Sequence, residues 1–275
     1  MNTTFGLICP ICQENLHISD NSCTCGKHNF DISKEGYLNL THNRTHSGDD
    51  KDMITSRRTF LDAGYYQPIS DMVNTIISKN ISNSRSKPLI VDMGCGEGYY
   101  LNRLFNSLLN EYGIYSTCYG LDLSKPAIKI ASKKYKPLNW LVANLSKMPF
   151  KDSSVDVAIS MFANLQEDET IRILKSNGYL LLVRAGLSHL LELRQIIYPK
   201  IIERYSKTDM PKGFKLISED TIKFKLNIQS SEQIKNLLTM TPHYWKVSKE
   251  RRELLYSMDS LNTTAEVEFY LLQKI

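Results

Sequence analysis

No apolar run in this 275-residue chain approaches ~20 residues, the length a helix needs to cross a bilayer, so no transmembrane helix is expected. The first residues, Met1 to Gly6, lack the basic start and apolar core of a secretory signal, and the expected location is the cytoplasm. Neither an internal repeat nor a low-complexity tract is visible, which argues against a solenoid or a disordered array. Charge of one sign is also in short supply: 34 Lys and Arg stand against 29 Asp and Glu, a net charge of +5. That balance permits a nucleic-acid partner without requiring one. Cysteine is nearly absent outside one place, since four of the six fall within residues 9–25. In a reducing compartment such a cluster points to a metal site rather than to disulfides, and the outlying Cys95 and Cys118 fit small core positions. The length suffices for one α/β core with a small appendage.

What is present is organised around the stretch Leu89-Ile90-Val91-Asp92-Met93-Gly94-Cys95-Gly96-Glu97-Gly98-Tyr99-Tyr100. A short β-branched run ends in alternating glycines, and an amphipathic segment follows. That is the strand–loop–helix opening of a doubly wound α/β domain. Gly94, Gly96 and Gly98 allow a tight turn and let a ligand approach the backbone against the N-terminus of the next helix. The spacing G-x-G-x-G after Asp92 departs from the dinucleotide pattern G-x-G-x-x-G. An acid at the strand end repels a pyrophosphate but pairs with an ammonium group. S-adenosylmethionine, with its cationic amino-acid end, therefore fits better than NAD. The D-x-G-x-G-x-G pattern resembles that of class I methyltransferases.

Residues 1–40 are expected to form a zinc-binding unit. Cys9-Pro10-Ile11-Cys12 is a C-P-x-C knuckle, and Cys25-Gly26-Lys27-His28 supplies a second pair after a hairpin-like gap. Three thiolates and one imidazole satisfy tetrahedral zinc. Cys23 competes with Cys25 for the third place. So short a unit buries little core, and the metal is expected to supply its folding energy. Thr41 to Asp52, holding His42, Arg44 and His46, is expected to be a mobile linker with solvent-exposed histidines. The expected division is a zinc module at 1–40, a linker and helical segment at 41–85, and the main domain at 86–275.

Two helices are expected in the middle segment. Met53 to Gly64 forms the first, and Ile69, Met72, Val73, Ile76 and Ile77 recur at helical spacing in the second. Arg57 and Arg58 suit either a phosphate contact or a solvated face. In the main domain, Leu101, Leu104, Phe105 and Leu108 mark a crossover helix. Cys118 to Asp122 is a strand ending in an acid that can accept both ribose hydroxyls of a nucleoside. Trp140 to Asn144 is the next strand, with Asn144 and Leu145 offering contacts to adenine, and Val157 to Phe162 is a fourth. Lys175-Ser176-Asn177-Gly178 is expected to turn into strand Tyr179–Val183. Thr221–Leu226 and Val267–Leu272 alternate like two closing strands around a helix at Ser231–Leu238. The sum is a seven-stranded, mostly parallel sheet with one reversed strand.

The order of these motifs is distinctive. The knuckle is followed by F-D-I-S-K-E-G-Y-L-N-L from Phe30, R-R-x-F-L-D-A-G-Y-Y-Q-P from Arg57, and D-M-G-C-G-E-G-Y-Y from Asp92. Together with Gly120–Lys125, Ser188–Leu193 and Leu237–Pro242, they resemble the RlmA family, the guanine-N1 methyltransferases of large-subunit (23S) rRNA. The resemblance implies the class I S-adenosylmethionine-dependent methyltransferase fold and zinc on Cys9, Cys12, Cys25 and His28. It implies S-adenosylmethionine contacts from Tyr66, Gly96 and Glu97, with Asp122 on the ribose and His189 near the methionyl end. By their own surroundings in the sequence, His189 fits a structural histidine and Tyr66 fits core packing.

The resemblance also implies an rRNA hairpin as partner and a homodimer that pairs two zinc modules into one RNA-binding cleft. One departure is plain: where the family has F-A-P or Y-A-P, this chain has Phe162-Ala163-Asn164-Leu165. Asn164 is the candidate catalytic residue, hydrogen-bonding the edge of the base. Two other functions compete with rRNA methylation: methylation of a small molecule, and non-catalytic binding of RNA or S-adenosylmethionine.

Overall fold

The structure is a computed structural model and describes residues 6–19, 21–41, 50–82, 87–201 and 210–275. His42, Arg44 and His46 of the expected linker lie outside the described residues. The chain opens with a three-stranded antiparallel sheet, β1 (His17–Ser19), β2 (Ser22–Thr24) and β3 (Asn29–Asp31). A two-residue strand, β4 (Leu38–Asn39), follows. Helix α1 (Lys51–Asp62) starts at Asp50, whose carboxylate accepts the Met53 N–H at 2.8 Å, and Gly64 at φ +83° turns the chain behind it. Helix α2 (Gln67–Ile81) carries Pro68 in its first turn, where a missing N–H costs nothing.

Alternating strands and helices then run β5 (Leu89–Met93), α3 (Tyr99–Asn110), β6 (Thr117–Asp122), α4 (Lys125–Lys134), β7 (Asn139–Val142), β8 (Val155–Met161), α5 (Glu167–Ile173) and β9 (Leu174–Ala185). The last third holds α6 (Leu191–Ile197), β10 (Phe214–Ile228), α7 (Ser231–Thr239), α8 (Lys249–Tyr256) and β11 (Leu261–Lys274). The main sheet has the order β10-β11-β9-β8-β5-β6-β7-β4. All seven expected strands are in it, and β11 is the reversed one, antiparallel to both β9 and β10.

The eighth strand was not foreseen. β4, inside the expected zinc module, pairs parallel with β7 through Leu38 against Leu141 and Asn39 against Val142. Two further differences concern local structure. Lys175 to Gly178 stays within β9 as an irregularity, where the register against β8 shifts between Val155 and Val157, rather than forming a separate turn. Helix α8 has only Leu255 buried, too little periodicity to announce itself in the sequence.

Alternation along each strand divides the core in two. Ile90, Cys118, Trp140, Val157, Ile159 and Leu181 face one cluster, which also receives the apolar sides of α1 to α4 and of α6 to α8. Val91, Met93, Tyr119, Leu141 and Leu180 face the other. There the cover comes from Ile173 of α5 and from Leu7, Leu16, Phe30, Leu38 and Leu40. The zinc module thus occupies part of a layer that a doubly wound fold fills with helices. Its backbone is stitched down as well: the Ile8 N–H donates to the Pro149 carbonyl at 3.0 Å, and the Leu40 N–H to that of Val142 at 2.9 Å. This corrects the expectation that the metal alone holds the module together.

Candidate active site and metal centre

The parallel strands β5 to β9 end on one rim, and the expected cofactor residues collect there. Asp92, next to last in β5, is 3% exposed. Burial pushes its carboxyl up to about 7, helped by the nearby charges of Asp122 and Glu97. Its Oδ1 has no hydrogen-bond partner among the described residues. A buried carboxylate oxygen without a donor is costly. An ammonium group is one donor such an oxygen can accept from. Glu97 is buried too, with its carboxyl pushed up to about 7, and its Oε2 accepts the Tyr99 N–H at 3.1 Å. Asp122 braces the loop from β6: Oδ2 accepts the Gly96 N–H at 2.9 Å, and Oδ1 the Ser124 N–H at 2.7 Å.

The three loop glycines serve different purposes, although all have positive φ. A Cβ on Gly98 would lie 2.3 Å from the Trp140 ring, and one on Gly94 2.9 Å from the Ala163 Cβ. A Cβ on Gly96 would meet nothing nearer than the Arg57 guanidinium at 3.6 Å. Gly94 and Gly98 are therefore small for packing, whereas a Cβ at Gly96 would make only an ordinary contact with the end of the Arg57 side chain, and what favours glycine there is its φ of +55°. Beyond β7, Asn144 uses its Oδ1 to accept the Ser146 N–H at 3.0 Å and cap a 3-10 turn, with Leu145 half-buried beside it.

Tyr66 and His189 are 123 residues apart in sequence, and the Tyr66 hydroxyl lies 3.2 Å from His189 Nε2. His189 Nδ1 lies 3.0 Å from the Glu266 carbonyl oxygen. With Nδ1–H donated to that oxygen, Nε2 accepts from Tyr66; with Nδ1 accepting the Glu266 N–H, at 3.3 Å, Nε2–H donates to the Tyr66 oxygen instead. Burial pushes the imidazole down to about 4, which keeps it neutral near pH 7. The flanking backbone is unusual. Of the five non-glycine residues with positive φ among the described residues, the two large apolar ones, Phe162 and Leu190 (both φ +53°), flank this histidine. Asn164 is exposed in the loop after β8. A polar hollow between α2 and α3, lined in part by Asp71, Asn74, Arg103 and Asn106, contains none of the residues above.

Sequence reasoning missed three parts of this arrangement. Glu266 in β11 holds the His189 ring through its backbone and accepts the Ser188 N–H through its side chain. Trp140 is the reason for two glycines, because a Cβ on Gly120 would also strike it, at 2.4 Å. Arg57, left open between two uses, reaches the glycine loop and donates to the Met240 carbonyl at 3.4 Å. Of these, Trp140 carried a signal as the aromatic head of the apolar run Leu141-Val142-Ala143, and Arg57 as half of the Arg57-Arg58 pair.

In the module, Cys9 Sγ, Cys12 Sγ, Cys25 Sγ and a ring nitrogen of His28 all lie within 4.8 Å of one another. Cys12 Sγ is 3.5 Å from Cys25 Sγ, and His28 Nδ1 is 3.6 Å from both Cys9 and Cys25. Cys23 stands apart: it sits in β2 opposite Phe30, fully buried, with its thiol pushed up to about 11 by burial. Cys25, and not Cys23, is the third sulfur of the cluster. Three soft sulfurs and one imidazole suit tetrahedral zinc.

A family profile described as RlmA, N-terminal, matches residues 7–42, and one described as Methyltransferase domain matches residues 91–182. YxjB of Bacillus subtilis, named as a candidate 23S rRNA (guanine-N(1)-)-methyltransferase, is 32% identical over 271 residues, covering 96% of this chain and 95% of its own. The chain belongs to the RlmA family. Another relative, the 23S rRNA (guanine(748)-N(1))-methyltransferase of Streptomyces fradiae, is 31% identical over 190 residues, 68% of this chain and 66% of its own. This RlmA-family protein is an S-adenosylmethionine-dependent methyltransferase of the class I fold with an N-terminal zinc module. Its cofactors are S-adenosylmethionine and zinc. The orphaned Asp92 oxygen beside the positive-φ glycine loop fits the first, and the Cys/His donor set fits the second.

Proposed function

We propose that this enzyme methylates N1 of a guanine in a hairpin of 23S rRNA. One observation carries the reading: a relative of that name matches the chain nearly end to end, across both the Asp92 cradle and the zinc cluster. When bound, S-adenosylmethionine would supply a methyl group on a positively charged sulfur; its transfer to guanine N1 breaks the sulfur–methyl bond, leaves neutral S-adenosylhomocysteine and releases the N1 proton. In this reading Asp92 takes the ammonium group, Gly96 and Glu97 line the methionyl side, Asp122 accepts the ribose hydroxyls, and Asn144 and Leu145 bound the adenine. Tyr66 and His189 close the methionyl end. Because burial keeps His189 neutral, it adds no positive charge against a cationic donor. Asn164 hydrogen-bonds the edge of the acceptor base.

The zinc module at 1–40, held by Cys9, Cys12, Cys25 and His28, carries RNA recognition, and 86–275 carries transfer. A cytoplasmic homodimer with two such modules facing one hairpin completes the reading, and the exposed Ile11 and Ile18 on the module are apolar surface for such a contact. No observation favours a small-molecule acceptor or a non-catalytic role. The test is tritiated S-adenosylmethionine with naked 23S rRNA, followed by mapping of the reverse-transcription stop that N1 methylation causes. Label in guanine N1 is the expected result. Label confined to small molecules, or binding without transfer, overturns the proposal.

A further inference from the structure

One side chain on the rim serves neither the core nor the cofactor cradle. Phe162, the first residue past β8, is 45% exposed, although folding usually hides an apolar ring. Its backbone stands at φ +53°, a region that costs a bulky residue free energy and is ordinarily left to Gly or Asn. The turn is pinned in place. The Phe162 N–H donates to the Val183 carbonyl at 2.9 Å, and the adjoining Ala163 is pressed against Gly94.

The ring centroid lies 6.1 Å from that of His189, tilted by 33°. His189 in turn lies 6.0 Å from Tyr66, and Tyr66 lies 5.3 Å from the buried Phe60. Phe162 is therefore the open end of a row of rings that runs inward from solvent beside the glycine loop. A turn at this φ with no use for a ring is more stable with glycine. The strain and the exposure have a common explanation if the ring has a partner that the protein alone does not supply.

We infer that the open face of Phe162 is the stacking platform for the acceptor base, an unpaired purine swung out of the RNA. The inference rests on the reading of an RNA guanine as acceptor and extends it to the residue that orients the base. A phenyl face fits the flat π-surface of a purine, and stacking fixes the plane of the base while leaving its N1 edge free to point along the rim. Asn164, two residues on, then meets the edge of a base whose plane is already set.

The experiment compares wild type with Phe162→Gly, Phe162→Leu and Phe162→Tyr in the full chain. Phe162→Gly is expected to keep or raise the melting temperature, since glycine relieves the backbone. It is expected to leave S-adenosylmethionine affinity unchanged and to lower kcat/KM for rRNA about ten- to a hundredfold, mainly through KM. Phe162→Tyr is expected to keep most of the activity. Phe162→Leu, which keeps apolar bulk without a π-face, is expected to behave like glycine. Full activity in Phe162→Gly, or equal activity in Phe162→Leu and Phe162→Tyr, overturns the platform.

A second readout separates this inference from the rRNA reading itself. Single-stranded RNA containing 2-aminopurine is quenched when that base stacks on an aromatic ring. If wild type transfers no methyl to rRNA, the rRNA reading falls, and the quench alone decides the platform. Quenching by wild type that Phe162→Gly abolishes supports it. Quenching that survives Phe162→Gly, or its absence in wild type, sinks it.

Discussion

At the scale of single residues, the glycine loop separates packing from binding. Gly98→Ala places a Cβ 2.3 Å from the Trp140 ring at φ +85°, so we expect a loss of about 2–4 kcal/mol from overpacking and backbone strain together. Gly96→Ala meets no atom closer than 3.6 Å. It should cost only about 1 kcal/mol of stability, from its φ of +55°, yet weaken S-adenosylmethionine binding. Thermal melts with and without cofactor distinguish the two. Asp92 makes a second prediction. It pairs with an ammonium only when ionised, and in the free protein its carboxyl is pushed up to about 7 by burial, then by Asp122 and Glu97. Cofactor affinity should therefore rise with pH through that range and fall about tenfold per unit below it. Calorimetric titration at pH 6 and pH 8 measures the slope, and Asp92→Asn should bind weakly at both with most of the slope gone.

At the scale of elements, the decisive contact is between the zinc module and the sheet. Phe150 is fully buried at this junction, edge-on to Tyr119 with ring centroids 5.4 Å apart, and its backbone forms an antiparallel bridge with Leu7. Arg172 of α5 holds the same loop, donating to the Phe150 and Met148 carbonyls at 2.7 and 2.8 Å and pairing with Glu169 and Asp152. Phe150→Ala should cost about 3–5 kcal/mol and loosen the module before the rest. Hydrogen exchange would show this as faster exchange at Leu7, Ile8 and Leu16 than along β5 and β8. Equal protection across both would mean that the module and the sheet unfold as one unit.

At the scale of the molecule, removal of zinc tests how the two parts share stability. Of the module, only Tyr37 enters the cluster that the sheet shares with α1 to α4 and α6 to α8, so the cofactor site should survive a chelator. The metal centre crosslinks only the Cys9–Cys12 turn and the Cys25–His28 turn. We expect chelation to leave S-adenosylmethionine affinity within about twofold, to raise exchange between residues 7 and 31, and to abolish rRNA methylation at moderate salt. RNA binding by a chain of net charge +5 should also weaken steeply as salt rises. Loss of cofactor binding on chelation would show that the two parts are coupled more tightly than their shared cluster implies.

The sequence by itself determined whatever is encoded by spacing along the chain. Helical periodicity located α2 and α3, alternation located β10 and β11, and the glycines after Asp92 located the cofactor loop, because these signals depend on residues a few positions apart. It also narrowed the metal ligands to Cys9, Cys12, His28 and one of two cysteines. The tertiary structure alone decided the rest. The sulfur of Cys25 rather than Cys23 joins the cluster because β2 turns Cys23 into the core opposite Phe30. Tyr66 meets His189 only because the helices before β5 and the loop after β9 come to the same rim. The zinc module is part of the fold because β4 finds the free edge of β7. Strand order sets each of these juxtapositions, and strand order arises from the joint burial of two sheet faces, a property no local stretch of sequence contains.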